Sequence, residues 1–287
     1  MGAYLPDYQV INPADLNEAL DVLASLPGVV PLAGGTDLMV YLESGLLKPC
    51  TFLNLQTIQD WQRKPALNGA LTLGPLTTFR DARVIPMIHE ACPMLAAAAA
   101  EVGVLAIQSR GTWAGNIANA SPAADGVPAL IAYDAEIELT SRLGRRTVAL
   151  ARFYTGYKQM DRRPDELITS IRVPVPAAGW REYFRKVGAR RYQTISKTLL
   201  AGRVLMGVDG EVKDIRLVFA SIAPFTLRAC RTEEAIRGRE LTPDVVREAL
   251  AVLQEEISPI DDIRSSAAYR RRVTGNLLRA FLSGLRK

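Results

Sequence analysis

The chain has 287 residues, of which 48% are hydrophobic and 23% charged, so it has globular composition and is not a disordered or low-complexity protein. Its length favours two domains of about 150 residues each. The net charge of +5 is uneven, at −3 over residues 1–175 and +8 over residues 176–287. The basic half indicates a solvated surface, an acidic protein partner or nucleic acid.

The first half of the chain alternates short helices and strands. Asn12 is the expected N-cap of a first helix, because Leu16, Ala19, Leu20 and Leu23 then share one helical face. The elements expected after it are strands at 29–33, 51–55 and 70–74 and helices at 37–45 and 86–101.

The second half begins with hairpins and ends in helices. Segments 135–140 and 147–150 form an expected hairpin, and the Pro- and Gly-rich segment 174–179 is the expected linker. Asp209-Gly210 separates two apolar runs, which is a strong hairpin signal. The elements expected there are strands at 182–187, 203–208 and 211–218 and two helices, one from Thr242-Pro243 and one over 267–285.

Few side chains are suited to catalysis or metal binding. Cys50, Cys92 and Cys230 are widely spaced, so we expect no disulfide framework, zinc site or iron–sulfur cluster. The single histidine, His89, lies in a predicted helix and is interpreted as structural. We assign no catalytic residue and no metal ligand, which favours chemistry by a bound cofactor.

Two segments rich in glycine and small polar residues are candidates for binding a phosphate. Residues 31–38 place Gly34 and Gly35 between a strand and a helix, where backbone amides can approach an anion. Residues 111–125 contain further glycines, hydroxyls and amides and end at Asp125, whose carboxylate could hold a sugar hydroxyl. Neither segment fits the Rossmann or P-loop pattern. We call them the first and second glycine loops.

Four motifs together make the chain resemble the FAD-binding subunits of the molybdenum hydroxylases. Residues 33–38 match A-G-G-T-[DS]-L, and residues 111–125 match G-T-[IL]-G-G-N-[IL]-A-x-A-S-P-x-x-D except that Ala114 stands at a usual glycine and Trp113 at an aliphatic position. Residues 165–174 match D-E-L-[IL]-x-x-[IV]-x-[IV]-P, and residues 184–191 match F-x-K-x-x-x-R-R. The four motifs follow the family's order, and the resemblance covers essentially the whole chain.

The resemblance implies an α+β fold, in which a p-cresol methylhydroxylase-type FAD-binding domain (1–177) precedes a smaller C-terminal domain of antiparallel sheet and helices (178–287). Backbone amides of both loops would wrap the FAD diphosphate, Asp125 would bind a sugar hydroxyl, Ile168 would pack on the isoalloxazine, and Lys186 would lie near the flavin. The implied cofactor-binding residues are Pro31, Leu32, Ala33, Gly34, Gly35, Thr36, Asp37, Leu38, Thr112, Trp113, Ala114, Gly115, Asn116, Asp125, Ile168 and Lys186.

The implied function is electron transfer within a larger hydroxylase. FAD bound non-covalently would take electrons from a [2Fe–2S] small subunit, supplied by a molybdopterin-binding large subunit, and pass them to NAD⁺ or another acceptor. No metal or iron–sulfur cluster is expected in this chain, and neither nucleic acid nor a membrane is an expected partner. Two alternatives remain: a free-standing flavin-dependent reductase or oxidase of the same fold, and a basic scaffold protein without a cofactor.

Overall fold

The computed structural model describes residues 8–48, 50–59, 61, 64–191 and 193–285. Within them the chain forms four β-sheets with helices packed between and against them, which confirms the predicted α+β class. None of the described helices is both long and apolar enough to cross a membrane.

A three-stranded parallel sheet and a five-stranded antiparallel sheet organise the first part of the chain. A short two-stranded antiparallel ribbon also belongs to this part of the chain. In spatial order, the strands are β1 (Gln9–Ile11), β3 (Thr51–Asn54) and β2 (Val30–Leu32); β4 (Ala66–Leu67), β5 (Ala70–Leu73), β10 (Leu167–Pro174), β6 (Glu136–Ser141) and β7 (Gly144–Ala149); and the ribbon β8 (Tyr154–Gly156) and β9 (Gln159–Met160).

A four-stranded antiparallel sheet forms the last part of the chain, and helices from both parts contact it. Its strands are β11 (Trp180–Val187), β12 (Thr198–Met206), β13 (Val212–Ala220) and β14 (Leu227–Arg228). The helices, in chain order, are α1 (Leu16–Ser25), α2 (Thr36–Glu43), α3 (Phe79–Val84), α4 (Pro86–Ala91), α5 (Pro93–Glu101), α6 (Leu105–Gln108), α7 (Trp113–Ala118), α8 (Val127–Ala132), α9 (Cys230–Ile236), α10 (Pro243–Glu256) and α11 (Ala267–Ser283).

The first helix begins later than its sequence predicts. Asp15, not Asn12, is the N-cap of α1, and its carboxylate accepts a hydrogen bond of 2.9 Å from the amide of Glu18. The Glu18 carboxylate in turn accepts a hydrogen bond from the amide of Ala14, and the two bonds together fix the start of α1. Asn12 instead accepts a hydrogen bond from the side chain of Asn54.

The helix predicted over 86–101 is two helices, α4 and α5, that meet at Cys92. Pro93 lacks an amide hydrogen and disfavours helical dihedral angles at the residue before it. Cys92 accordingly has a non-helical backbone, with φ −145° and ψ 69°. Helix α9 was not among the expected elements. The hairpins at 136–149 and around Asp209-Gly210 form as predicted.

The hydrophobic core crosses the boundary between the two predicted domains. Leu199, Ala201 and Val218, from β12 and β13, belong to the same buried cluster as Leu130 and Ile131 of α8. A second cluster lies between the last sheet and helices α9 to α11, and a third lies between α1 and the parallel sheet. The two parts of the chain therefore stabilise each other by direct apolar contact.

Candidate functional site

The first glycine loop leaves strand β2 and turns sharply into helix α2. Gly35 has φ 75° and ψ −2°, a left-handed conformation that favours glycine, and it is the N-cap of α2. Because the first amides of a helix have no partner within it, those of Thr36, Asp37 and Leu38 remain available to an anion beside the turn. The predicted strand–glycine–helix geometry is therefore present.

The second glycine loop is fixed by its own side chains and by strand-like pairing. Thr112 is the N-cap of α7, and its hydroxyl accepts a hydrogen bond of 3.0 Å from the amide of Gly115. The amide of Trp113 donates to the carbonyl of Thr77, and Gly111 accepts from the amide of Phe79. The amides of Gly111 and Asn116 also donate to carbonyls of the protein, so the loop offers a ligand fewer backbone donors than its glycine content suggests.

The two loops touch at Gly34. A Cβ at this position would overlap the carbonyl oxygen of Arg110, the residue before the second loop. The Arg110 side chain also donates from Nε to the carbonyl of Gly34, over 3.3 Å. Glycine at position 34 therefore permits a contact between the two backbones that any side chain would block.

A cleft of about 600 Å³ lies between the loops. Both loops line it, together with the segment that enters β10 and a loop after β11. Ile168, which is 7% exposed, contributes to the lining at the point where the pairing of β10 with β6 shifts register. The expected site residues that line the cleft are Pro31, Ala33, Gly34, Gly35, Thr36, Asp37, Leu38, Thr112, Ala114, Gly115, Asn116, Asp125 and Ile168.

Three expected site residues do not line this cleft. Leu32 pairs with Asn54 in the parallel sheet. Trp113 is fully buried, with its ring 4.7 Å from that of Phe79 between centroids, so it packs in the core. Lys186, whose side chain is 2% exposed, contacts one of the lining residues instead.

Lys186 forms a buried ion pair with Asp125. Its Nζ lies 2.6 Å from Oδ2 of Asp125 and donates a second hydrogen bond to the carbonyl of Glu101. Burial raises the pKa of Asp125 to about 6, and the ammonium of Lys186 opposes that rise. Strand β11 therefore supports the carboxylate at the end of the second glycine loop, and Lys186 reaches the cleft only through Asp125.

Two buried oxygens of the cleft accept no hydrogen bond within the described chain. They are Oδ1 of Asn116 and Oδ1 of Asp125. An unsatisfied buried acceptor costs about 1–3 kcal/mol, so both oxygens favour a ligand that carries hydroxyl or N–H donors.

A polar cluster at the cleft was not predicted from the sequence. Lys158 donates to the hydroxyl of Tyr41 and to two oxygens of Asn119, all within 3.0 Å. Tyr41 and Asn119 line the cleft, so the cluster holds α2 against the end of α7. Asp37 lies close enough for Lys158 to oppose the rise in its pKa that burial causes. No sequence signal indicated this cluster, because its members come from three separate segments.

A second unpredicted group borders the cleft next to Ile168. Glu166 is fully buried and accepts hydrogen bonds from Arg146 and from the backbone of Arg163. Arg162 lines the cleft beside it. The resemblance covers Glu166 as part of a motif, but it assigned no role to the residue.

His89 and the cysteines lie elsewhere. The imidazole Nε2 of His89 bonds to the carbonyl of Arg83, on the exposed side of α4. Cys50, Cys92 and Cys230 are all free thiols, and none lines the cleft. Burial raises the pKa of Cys92 to about 12, so this thiol stays protonated.

Comparisons with known proteins identify both parts of the chain. Residues 6–176 match the FAD binding domain in molybdopterin dehydrogenase, and residues 183–285 match the CO dehydrogenase flavoprotein C-terminal domain. The glyceraldehyde dehydrogenase medium chain of Sulfolobus acidocaldarius is 30% identical, over 94% of this chain and 95% of that one. The nicotine 6-hydroxylase medium subunit of Paenarthrobacter nicotinovorans is 26% identical, over 96% of each.

The fold is also similar to a solved relative. The carbon monoxide dehydrogenase of Hydrogenophaga pseudoflava contains a chain that matches with a TM-score of 0.90 at 26% identity, over 98% of this chain and 96% of that one. The expected fold, an FAD-binding domain followed by a smaller antiparallel sheet-and-helix domain, is confirmed.

Proposed function

We propose a function from the premise that the chain belongs to the FAD-binding medium subunits of the molybdenum hydroxylases. As a member of this family, the chain is a subunit of an oxidoreductase. Its proposed role is to hold FAD non-covalently in the cleft between the glycine loops, to receive electrons from a [2Fe–2S] partner subunit and to pass them to NAD⁺ or another acceptor. A molybdopterin-binding large subunit would complete the complex.

Two unsatisfied buried oxygens of the cleft carry the proposal that it binds FAD. Oδ1 of Asn116 and Oδ1 of Asp125 are buried without a donor in the second glycine loop, and the first glycine loop provides free backbone amides to the same cleft. The ribose and ribityl parts of FAD are rich in hydroxyl donors, and its diphosphate needs amides or cations. A single ligand with both features would satisfy both kinds of group.

The residues have separable roles in holding the cofactor. The free amides of Thr36, Asp37 and Leu38 would donate to the diphosphate, while Asn116 and Asp125 would accept from hydroxyls. Ile168 would present an apolar surface to the isoalloxazine, and Lys186 would hold the Asp125 carboxylate in place through its ion pair. When bound, FAD supplies the exchange between one-electron and two-electron carriers.

Purified protein tests the cofactor proposal directly. We expect a yellow protein with flavin absorbance, and we expect acid precipitation to release the flavin into the supernatant because no described histidine or cysteine lines the cleft to attach it. Colour retained in the pellet would contradict non-covalent binding. A colourless protein that takes up no added FAD would contradict FAD binding and favour a scaffold protein without a cofactor.

Coexpression tests the role in a complex. The chain purified alone should transfer electrons from NADH to an artificial dye but should oxidise no organic hydroxylation substrate. Coexpression with a molybdopterin-binding subunit and a [2Fe–2S] subunit should give one complex that does. Turnover of such a substrate by the single chain would instead favour the free-standing reductase or oxidase.

A further inference from the structure

Most ionisable side chains that line the cleft are acidic, whereas a diphosphate needs positive charge. Asp37, Asp125 and Glu166 bring three carboxylates to the lining. Among the described residues that line the cleft, Arg162 is the one basic side chain. An anionic ligand bound here therefore depends on Arg162 for positive charge from a side chain in direct reach.

The Arg162 guanidinium is held in place by the backbone. Its Nη1 donates to the carbonyls of Arg163, at 3.2 Å, and of Glu166, at 2.8 Å. The carbonyl of Glu166 is itself fixed, because the Glu166 carboxylate is bound by Arg146 and Arg163. These two bonds orient the guanidinium and leave the hydrogens of Nε and Nη2 for another acceptor.

Arg162 also differs from its neighbours in lacking a carboxylate partner. Arg146 pairs with Asp161 and Glu166, and Arg163 pairs with Glu166 and Asp165. Within the part of the chain that the structure describes, Arg162 forms no such ion pair, and burial lowers its pKa. A half-buried guanidinium with unused donors can bind an anion that accepts from its planar edge.

We propose that Arg162 is a nucleotide diphosphate-binding residue of the cleft, a role that rests on the proposed function. The diphosphate has two possible sources with the same chemistry: the FAD cofactor and a pyridine nucleotide acceptor. Arg162 lies outside the glycine-loop motifs and outside the motif over residues 165–174, so the resemblance assigns it no role. It would provide the charge that the amides of the first glycine loop do not.

The test compares Arg162→Gln and Arg162→Lys with the control Arg172→Gln. Arg172 lies further along the chain, in β10, where its side chain is 58% exposed and lies 3.4 Å from Glu136. Full-length apoprotein is titrated with FAD, and flavin-loaded protein is titrated with NAD⁺, each at two salt concentrations. Circular dichroism and thermal melting confirm that each variant is folded.

We expect Arg162→Gln to weaken binding of one nucleotide at least tenfold and to reduce its salt dependence. Arg162→Lys should recover only part of the affinity, because an ammonium keeps the charge but has no planar edge of donors, and the control should be unchanged. Weaker FAD binding identifies the cofactor diphosphate, and weaker NAD⁺ binding alone identifies the acceptor. Affinities within twofold of wild type for both nucleotides would overturn the proposal. If wild-type apoprotein bound no FAD, the proposed function would fail, and a titration of that apoprotein and its Arg162 variants with NAD⁺ would decide the role of Arg162.

Discussion

At the scale of single residues, Glu166 shows how a buried charge stabilises one wall of the cleft. Its side chain is fully buried, and Arg146 donates to both carboxylate oxygens, at 2.7 and 2.9 Å. These hydrogen bonds hold the pKa of Glu166 below its usual value. The ionised carboxylate is thus more stable in the folded chain than in the unfolded one.

The sign of the pH dependence follows from that lowered pKa. The stabilisation by ionised Glu166 is complete above its unfolded pKa of about 4.3 and is lost as the pH falls through the lower folded value. We expect Glu166→Gln to lower the free energy of unfolding at pH 7 by about 2 kcal/mol, less than for a fully buried pair because Arg146 is 32% exposed. Urea unfolding from pH 7 down to about pH 3 should show the difference from wild type shrinking below about pH 4.3.

Glu136→Gln is the matched control for that measurement. Glu136 lies on the adjacent strand β6 and pairs with Arg172 at 3.4 Å, with both side chains about half exposed. Its loss should change the free energy of unfolding by about 0.5 kcal/mol or less. If Glu166→Gln lowered the free energy of unfolding by the same amount at every pH, the Glu166 side chain would stabilise the fold by packing and not by its charge.

At the scale of elements, the cleft exists because two turns from distant segments meet without a side chain between them. Gly34 precedes α2, and the Arg110 carbonyl precedes α7. We expect Gly34→Ala to force the loops apart, lowering stability by about 1–3 kcal/mol and FAD affinity at least tenfold. Flavin titration of refolded or apo protein, with a urea unfolding curve for each variant, measures both.

Gly275→Ala provides the comparison for Gly34→Ala. Gly275 lies inside helix α11, and an added Cβ would make only ordinary contacts, with Gln254 and Leu250. This variant should be neutral or more stable by up to about 1 kcal/mol, with unchanged FAD affinity. FAD affinity unchanged in Gly34→Ala would show that the loop contact is structural only.

The glycine loops, the hairpins and the family could be read from the sequence, because their signals are local. Asp209-Gly210 marks a turn by its own dihedral preferences, and residues 33–38 are a contiguous motif. The cluster of Lys158, Tyr41 and Asn119 could not be read in this way, since its residues meet only through tertiary packing. Trp113 illustrates the reverse case, in which a motif position packs in the core.

At the scale of the whole molecule, the two predicted domains are joined by charge as well as by apolar contact. Asp134 follows α8 and has φ 55°, and its carboxylate accepts from Arg216 at 3.0 Å and from Arg228 at 2.7 Å. Both arginines belong to the last sheet. Glu233 of α9 also pairs with Arg228, so the contact is part of a network that extends across the boundary.

Asp134→Asn tests whether this network makes the chain unfold as one unit. Asparagine tolerates the left-handed backbone, so the variant removes charge without adding strain. Since Asp134 is 37% exposed, we expect a loss of about 1 kcal/mol at low salt that diminishes at high salt, measured by urea unfolding. The control Asp21→Asn, which breaks the exposed pair with Arg142, should lower the free energy of unfolding by about 0.5 kcal/mol or less.

Because Leu199, Ala201 and Val218 still share a core with α8, Asp134→Asn should keep a single unfolding transition by circular dichroism and tryptophan fluorescence. Two separated transitions would mean that the charge network, and not the shared core, couples the two parts.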